Sequence, residues 1–552
     1  MRRQECAGLP ATEVADIYLR ARALVDPAAA DALGIGPETR MPDFSPAAYE
    51  RRHSADKAAL LGLRGVPGVL ATVMRERLES EVALDRIGFT RRLLAPLATP
   101  VHQIRQTFDD LPTATPADRL RVRTALAAAS TALRDYQRTL AHEAEMGNVV
   151  ARRQVLVVAE QVERWLADGF IDGLLGDEGG AEAETGRAAF ADFAEFLRTR
   201  LLPLAPAADG VGRPVYEVTA GAFLGERVDL DELYAYGWDL IAELQAQARA
   251  LATEIAGTPD VGAAVAHLDA DPGGRIPVGD LVAWLQRRID ASAEVADQRV
   301  AAIPARTRPV EARLVTAVAG VMYYTPPDAA LTRPGRVWWT VPDGTTAVAT
   351  WREVSTVHHE GVPGHHLQHA ITHDLAGLHP WQRYLCHVHG YAEGWAHYAE
   401  EVADEVGLLH SPGERLGLVF ARLWRACRIV IDLGLHLDLP IPAGAPGPCG
   451  GAGAWTPELG ARMLHEVAEV DPQTARFEVD RYLGWPGQAL AFAVGARLWR
   501  QARAEAEQRS AGEGVPFDLR RFHTEALALG PMGLGPRRHA LRPSAPENGE
   551  PG

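Results

Sequence analysis

Apolar residues recur at every third or fourth position over long stretches of this chain, as in "ADRLRVRTALAAASTALRDYQRTLAHEAE" (117–145) and "LDELYAYGWDLIAELQAQARALATEIAG" (230–257). Such spacing lays one apolar stripe along a helix, so the pattern predicts a mainly α-helical protein. Start and stop signals agree: Asp229 or Asp231 can cap the second stretch, and Gly257 followed by Pro259 ends it. Breaks are expected at 176–186, 206–214 and 440–454, where glycine and proline are dense; the last reads as an inserted flexible loop. From 536 onward, "PRRHALRPSAPENGEPG" has too few apolar residues to pack and is expected to be a disordered tail.

Composition narrows the class. With 552 residues, 47% hydrophobic and 23% charged, the chain has the balance of a folded globular protein and the length to bury a sizeable core. Its 72 acidic and 56 basic residues give a net charge of −16, and the Arg-Arg pairs at 51–52, 91–92, 152–153 and 537–538 stand singly. Nucleic acid is therefore not an expected partner. Cys6, Cys386, Cys427 and Cys449 show no CxxC spacing, which argues against a thiolate zinc finger or a disulfide framework and suits a reducing compartment. The first residues carry no apolar run of the secretory kind, and nowhere are there 18 consecutive apolar residues. No membrane partner is expected, and a cytoplasmic location is.

The chemistry concentrates in "STVHHEGVPGHHLQHA" (355–370). It departs from His-Glu-x-x-His, in which two histidines one helical turn apart face a single metal and the glutamate reaches its water. His359 and His365 are six apart, about 120° around a regular helix, and cannot share a metal there. Pro363 has no N–H for the carbonyl of His359, its ring clashes with that turn, and Gly364 tolerates unusual dihedrals. The helix must bulge or break between the two histidines, and that bend can bring His365 back. Other pairings stay open. His366 shares a face with His359 but lies about 10 Å along the axis. His365 and His369 have the four-residue spacing, but no glutamate follows His365. His358 can serve as a supporting group.

A second run, "HGYAEGWAHYAEEVADE" (389–405), predicts a helix on which Glu393, His397 and Glu400 or Glu401 recur at three- or four-residue spacing. Glu393 is favoured as a third ligand because Gly394 allows close helix approach, and His397 and Glu400 are expected to orient ligands. Ahead of the histidines, "RVWWT" (336–340), bounded by "RPG" and "PDG", predicts a short strand. Its edge can receive a substrate backbone by strand addition, with Trp339 as a substrate contact; the alternative is that both tryptophans belong to the core.

"HEGVPGHHLQ" and "EGWAHYAEE", together with "YYTPPDAALTRPGRVWW" (323–339), "RIVIDLGLH" (428–436) and "EVDRYLGWPGQALAF" (478–492), resemble the domain of unknown function 885 family, a set of zincin-like metallopeptidases. The likeness runs over nearly the whole chain to about residue 530 and departs at the 440–454 insertion. It implies a mainly α, multi-helix zincin-like fold of gluzincin type, with a small β element near the active site. An N-terminal helical region (1–304) would wrap a catalytic region (305–535), followed by the tail (536–552). It also implies one Zn²⁺ per chain on His359, His365 and Glu393, with Glu360 as general base for water attacking a peptide bond. Tyr482 is the expected oxyanion donor and His436 the alternative, while Arg428 or Arg481 would clamp a substrate carboxylate. The substrate would be a peptide or small amide. Two other classes stay in view: a hydrolase of a small amide or ester using the same residues, and a non-catalytic zinc-binding descendant, which would not need Glu360.

Overall fold

The computed structural model describes residues 8–35, 41–109, 111–175, 180–316, 322–328, 331–342 and 344–542. As the periodicity predicts, the chain is mainly helical. Helix α1 (Pro116–Glu145) opens on a reciprocal capping box between Thr115 and Asp118. With α2 (Arg152–Ala167) and α3 (Gly180–Phe196) it closes a core around Leu133, Tyr136, Val158, Phe190 and Phe193. The expected break at 176–186 is thus helical from Gly180 onward, because the alanines and glutamates among its glycines favour helix; 176–179 lie outside the described residues. Helix α4 (Leu230–Ala256) is capped by Asp229, whose carboxylate accepts the N–H groups of Asp231 and Glu232, and it ends on Gly257 in the left-handed region.

After β1 (Arg275–Pro277) and α5 (Val278–Arg299) come β2 (Val310–Thr316), β3 (Met322–Thr325), β4 (Gly335–Val341) and β5 (Ala347–Ala349). β1 and β5 pair with each other, and the other three form a sheet in the order β2, β4, β3. β4 runs parallel to β2, with Val310 opposite Gly335, and antiparallel to β3, with Met322 opposite Trp339. The expected strand is present, but it is the middle one, so its backbone is already paired on both sides and it offers no edge. Trp339 is buried with Val337 and Val341 against Leu281, Leu285 and Ile289 of α5 and against the Trp284 ring. It is a core residue, which corrects the expectation of a substrate contact.

The histidine segment breaks into α6 (Val354–Glu360) and α7 (His365–Asp374), joined by Gly361–Gly364. The linker keeps its hydrogen bonds: Gly364 N–H donates to the His358 carbonyl at 2.9 Å and His366 N–H to the Gly361 carbonyl at 3.0 Å. Its outward carbonyls, those of Pro363 and Gly364, accept the Trp395 indole N–H at 3.0 and 3.2 Å. Trp395 belongs to α8 (His389–Glu405), so the break is tied to the helix that carries Glu393. α9 (Pro412–Leu437) lies along α4, while α10 (Pro472–Gly484) and α11 (Ala491–Glu513) complete the packing. The α8–α11 crossing is backbone on backbone: a Cβ on Gly394 would come within 2.5 Å of Gly495 Cα.

The expected boundary at 304/305 does not divide the interior. One core joins Ile241 and Leu244 of α4 to Ile429 and Val430 of α9, and another joins Val14 and Leu63 to Trp395 and Trp499. The 440–454 loop is anchored by Cys449, which is fully buried against Met463. The expected tail begins too early, because α12 (Leu534–Leu541) buries Arg537, stacked on Tyr391 and Trp499 and donating to the Gly530 and Ala526 carbonyls. Residues 543–552 lie outside the described residues. Among the described residues no helix is long and apolar enough to cross a membrane.

Candidate metal centre

Three elements deliver three donors to one point. His359 ends α6, His365 opens α7 after the break, and Glu393 projects from the first turns of α8. The nearest Glu393 oxygen is 3.3 Å from His359 Nε2 and 3.6 Å from His365 Nε2, and one ligand atom from each residue lies within 4.8 Å of the others. Gly364 makes this possible: a Cβ there would fall 2.0 Å from the His359 carbonyl oxygen, so only glycine lets α7 start this close to the end of α6.

Glu400, two helical turns beyond Glu393 on α8, is fully buried and receives His359 Nδ1–H at 2.8 Å. That bond fixes the tautomer and leaves His359 Nε2 facing Glu393 and His365. Ser355 Oγ–H donates to the other Glu400 oxygen, Arg425 Nη2 lies 3.1 Å from Glu400, and His397 Nδ1 lies at 3.5 Å. Burial pushes the Glu400 carboxyl up, but Arg425, His359 and His397 outweigh it and hold the group well below the usual carboxylate range. His359 feels the same field: burial and Arg425 lower its pKa, yet Glu393, Glu400 and Glu360 raise it to about 9. The pocket is therefore built to hold positive charge. Two imidazole nitrogens and a carboxylate, with one imidazole oriented by a second carboxylate, fit a zinc-type ion in that place. Glu360 sits beside the cluster, where burial raises its carboxyl and the neighbouring His359 and His365 oppose the rise.

Several expected residues are not part of the triad. His366 is buried away from the triad: its Nε2–H donates to the Arg308 carbonyl and its Nδ1 accepts Tyr324 O–H, both at 3.0 Å, so His365 and not His366 joins the cluster. His369 packs against Tyr324 and His373, and His358 turns to the Val362 carbonyl at 3.0 Å. Tyr482 is buried and donates its hydroxyl proton to Glu478 at 2.8 Å while accepting Arg428 Nε–H at 3.1 Å. That proton is committed, which corrects the oxyanion assignment. His436 accepts Val211 N–H on Nδ1 at 3.3 Å and donates Nε2–H to the Tyr482 carbonyl at 3.1 Å, so it is a structural tie and not a donor to substrate. Arg428 and Arg481 both bind Glu478. Ser355 and Arg425 were not singled out from the sequence. The available signals were Ser355 lying one turn before His359, and Arg425 lying three residues before Arg428 in "RLWRACRIV".

The fold and site together define a class: a mainly helical protein in which a small sheet and a broken helix assemble a two-histidine, one-glutamate cluster. Residues 27–539 match the bacterial proteins of unknown function DUF885, and the chain belongs to that family. No curated protein matches it. A candidate lipoprotein from Colwellia psychrerythraea shares the fold at a TM-score of 0.78 and 19% identity, over 96% of this chain and 98% of that one. A candidate lipoprotein of unknown function from Shewanella oneidensis does so at 0.70 and 17%, over 97% and 100%.

Proposed function

We propose that this protein is a zinc-dependent hydrolase of zincin-like type that cleaves amide bonds in peptides, with one zinc ion per chain on His359, His365 and Glu393. The observation that carries the reading is the convergence of those three donors beside Glu360, across a helix break whose glycine admits no side chain. Bound there, zinc supplies Lewis acidity and lowers the pKa of water. Glu360 is the group placed to take the proton from the attacking water at a carboxylate oxygen and to return it to the leaving amine. Glu400 holds His359 in the ligating tautomer, and Arg425 holds Glu400 ionised. β3, the outer strand beside α6, is the element available to align an extended peptide, in place of β4.

The test is metal analysis with peptide-library hydrolysis of the unmodified protein beside Glu360→Gln. The variant should keep its zinc and lose roughly 10²–10⁴ in rate; equal rates with zinc retained would remove Glu360 from the reaction. For location, a cytoplasmic protein is supported by Cys386, Cys427 and Cys449, which are free and buried. The lipoprotein descriptions of the two structural neighbours point to the cell envelope instead, and fractionation with a surface label on intact cells decides between them.

A further inference from the structure

Next to the triad, two guanidinium groups share one carboxylate. Arg428 Nη2 lies 2.8 Å from one Glu478 oxygen and Arg481 Nη1 lies 3.1 Å from the other. Arg481 gives its second Nη to the neutral Gln488 amide at 2.9 Å, and Arg428 gives its Nε to the Tyr482 hydroxyl. That hydroxyl is kept neutral, because burial raises its pKa well above the usual value. Among the described residues no other carboxylate comes within 4.0 Å of either guanidinium, and the neighbouring Arg425 is offset by its own partner Glu400. Arg428 and Arg481 thus bring two positive charges to one shared carboxylate, and Glu393 of the triad is near enough for its field to act on Arg428.

The orientation of Arg428 is set by its neighbours. Arg428 is held between the rings of Trp424, 5.0 Å from Cζ, and Phe492, at 4.3 Å, so its plane is fixed. Its Nε and Nη2 are used, while Nη1 is buried without a partner, as is Arg481 Nε. The same Phe492 ring stacks on His359 at 6.2 Å and 17°. Through that ring, Arg428 Cζ lies no more than 10.5 Å from the His359 imidazole, the sum of 4.3 Å and 6.2 Å. An extended residue spans about 3.3–3.6 Å, so at most about two residues fit between an anion on Arg428 and the triad once the ion pair's own length is taken out.

Resting on the hydrolase reading above, we infer that Arg428, backed by Arg481, is the seat of a free substrate carboxylate, so that the enzyme takes short peptides and cuts within one or two residues of their C-terminus. A planar, desolvated guanidinium with an unpartnered Nη1 suits a carboxylate better than a peptide carbonyl, because the bond is charge-assisted. An internal segment of a long chain brings no α-carboxylate, and an Asp or Glu side chain would present its anion off the backbone line.

The experiment uses a mixed library of N-acetyl tripeptides as free acids and as C-terminal amides. Binding is measured by calorimetry to the full chain with and without zinc, and cleavage is measured on the zinc-loaded protein. The acids should bind roughly 10- to 100-fold more tightly than the amides in both metal states, the value of one charge-assisted hydrogen-bonded contact, and should be cleaved preferentially. In Arg428→Gln the acid and amide should bind alike. Equal binding and equal cleavage of acids and amides by the unmodified protein would overturn the carboxylate seat and leave the hydrolase standing. Preferred binding of acids with no cleavage by the zinc-loaded protein would sustain the seat and overturn the hydrolase. Because the acid–amide comparison needs no mutation, it holds even where Arg428→Gln folds poorly.

Discussion

Gly364→Ala is the smallest change that attacks the proposed centre directly. A Cβ at this position would lie 2.0 Å from the His359 carbonyl oxygen, 2.4 Å from that of His358 and 2.6 Å from His359 C. All three are backbone atoms, so no rotamer change relieves the overlap, and ordinary contact near 3.4 Å requires the two segments to part by more than 1 Å. The displaced carbonyl belongs to His359, and the residue after Gly364 is His365, so the movement falls between the two proposed histidine ligands. Zinc–nitrogen bonds are about 2.0–2.1 Å long and tolerate about 0.2 Å, so one imidazole must leave. The expected result is a loss of at least about 100-fold in zinc affinity, read by competition with a chromogenic chelator, and a metal-free protein destabilised by about 3 kcal/mol in urea. Gly377→Ala is the control, since a Cβ there meets nothing within 4 Å. A Gly364→Ala protein that binds zinc within threefold of the original and unfolds at the same urea concentration would refute the steric account of the break.

His365→Ala should abolish tight zinc binding, while His366→Ala should keep it and lose stability by about 1–3 kcal/mol, because Tyr324 and the Arg308 carbonyl lose their partner; zinc loss only in the second would reverse the ligand assignment. Glu400→Gln should weaken zinc binding about 10- to 100-fold by loosening the His359 tautomer, and should destabilise the metal-free protein by about 3–5 kcal/mol, because Arg425 is left as a buried charge without its carboxylate. Unchanged affinity by calorimetry would remove Glu400 as the orienting group. His436 has its pKa lowered by burial from 6.5 to about 4, only partly offset by its bond to the Tyr482 carbonyl. The folded state thus prefers the neutral ring: the contribution is present above pH 6.5 and is lost as pH falls toward 4. Between pH 7 and 5 it amounts to about 2 kcal/mol. His436→Gln should show a loss of unfolding free energy over that range smaller by this amount, and an identical slope would refute the assignment.

The amphipathic helices were legible because their pattern is local: α1 and α4 lie where the three- and four-residue spacing puts them, with the caps the sequence announces. The strand at 336–340 was legible too, but not its place in the sheet, since its partners come from Val310–Thr316 and Met322–Thr325 and only their arrival makes it central. Arg537 falls in the expected tail because that stretch has few apolar residues to pack, whereas its guanidinium stacks on Tyr391 and Trp499. Within the site, residue types singled out Glu393 and Glu400, and the structure brings both against the His359 ring. Which of two adjacent histidines turns inward depends on the course of four linker residues, and no periodicity encodes that. Tyr482 and His436 were over-read for a related reason: sequence shows a proton that can be donated, and not the Glu478 carboxylate or Tyr482 carbonyl that already receives it.

The side chains that meet at this centre are placed by residues that have none. Gly364 lets α7 begin against the carbonyls that end α6, and Gly394 and Gly495 let α8 and α11 touch at their backbones. Trp395, next to Gly394, then ties the linker carbonyls to α8, so the break is fastened to the Glu393 helix. Rigid elements of this kind hold ligands more narrowly than loops do. The Val-Pro-Gly step between His359 and His365 is accordingly not a decayed version of a shorter motif. It replaces the helical turn of His-Glu-x-x-His with a linker pinned by hydrogen bonds of its own, and it sets two imidazoles against one carboxylate where a continuous helix would hold them about 120° apart.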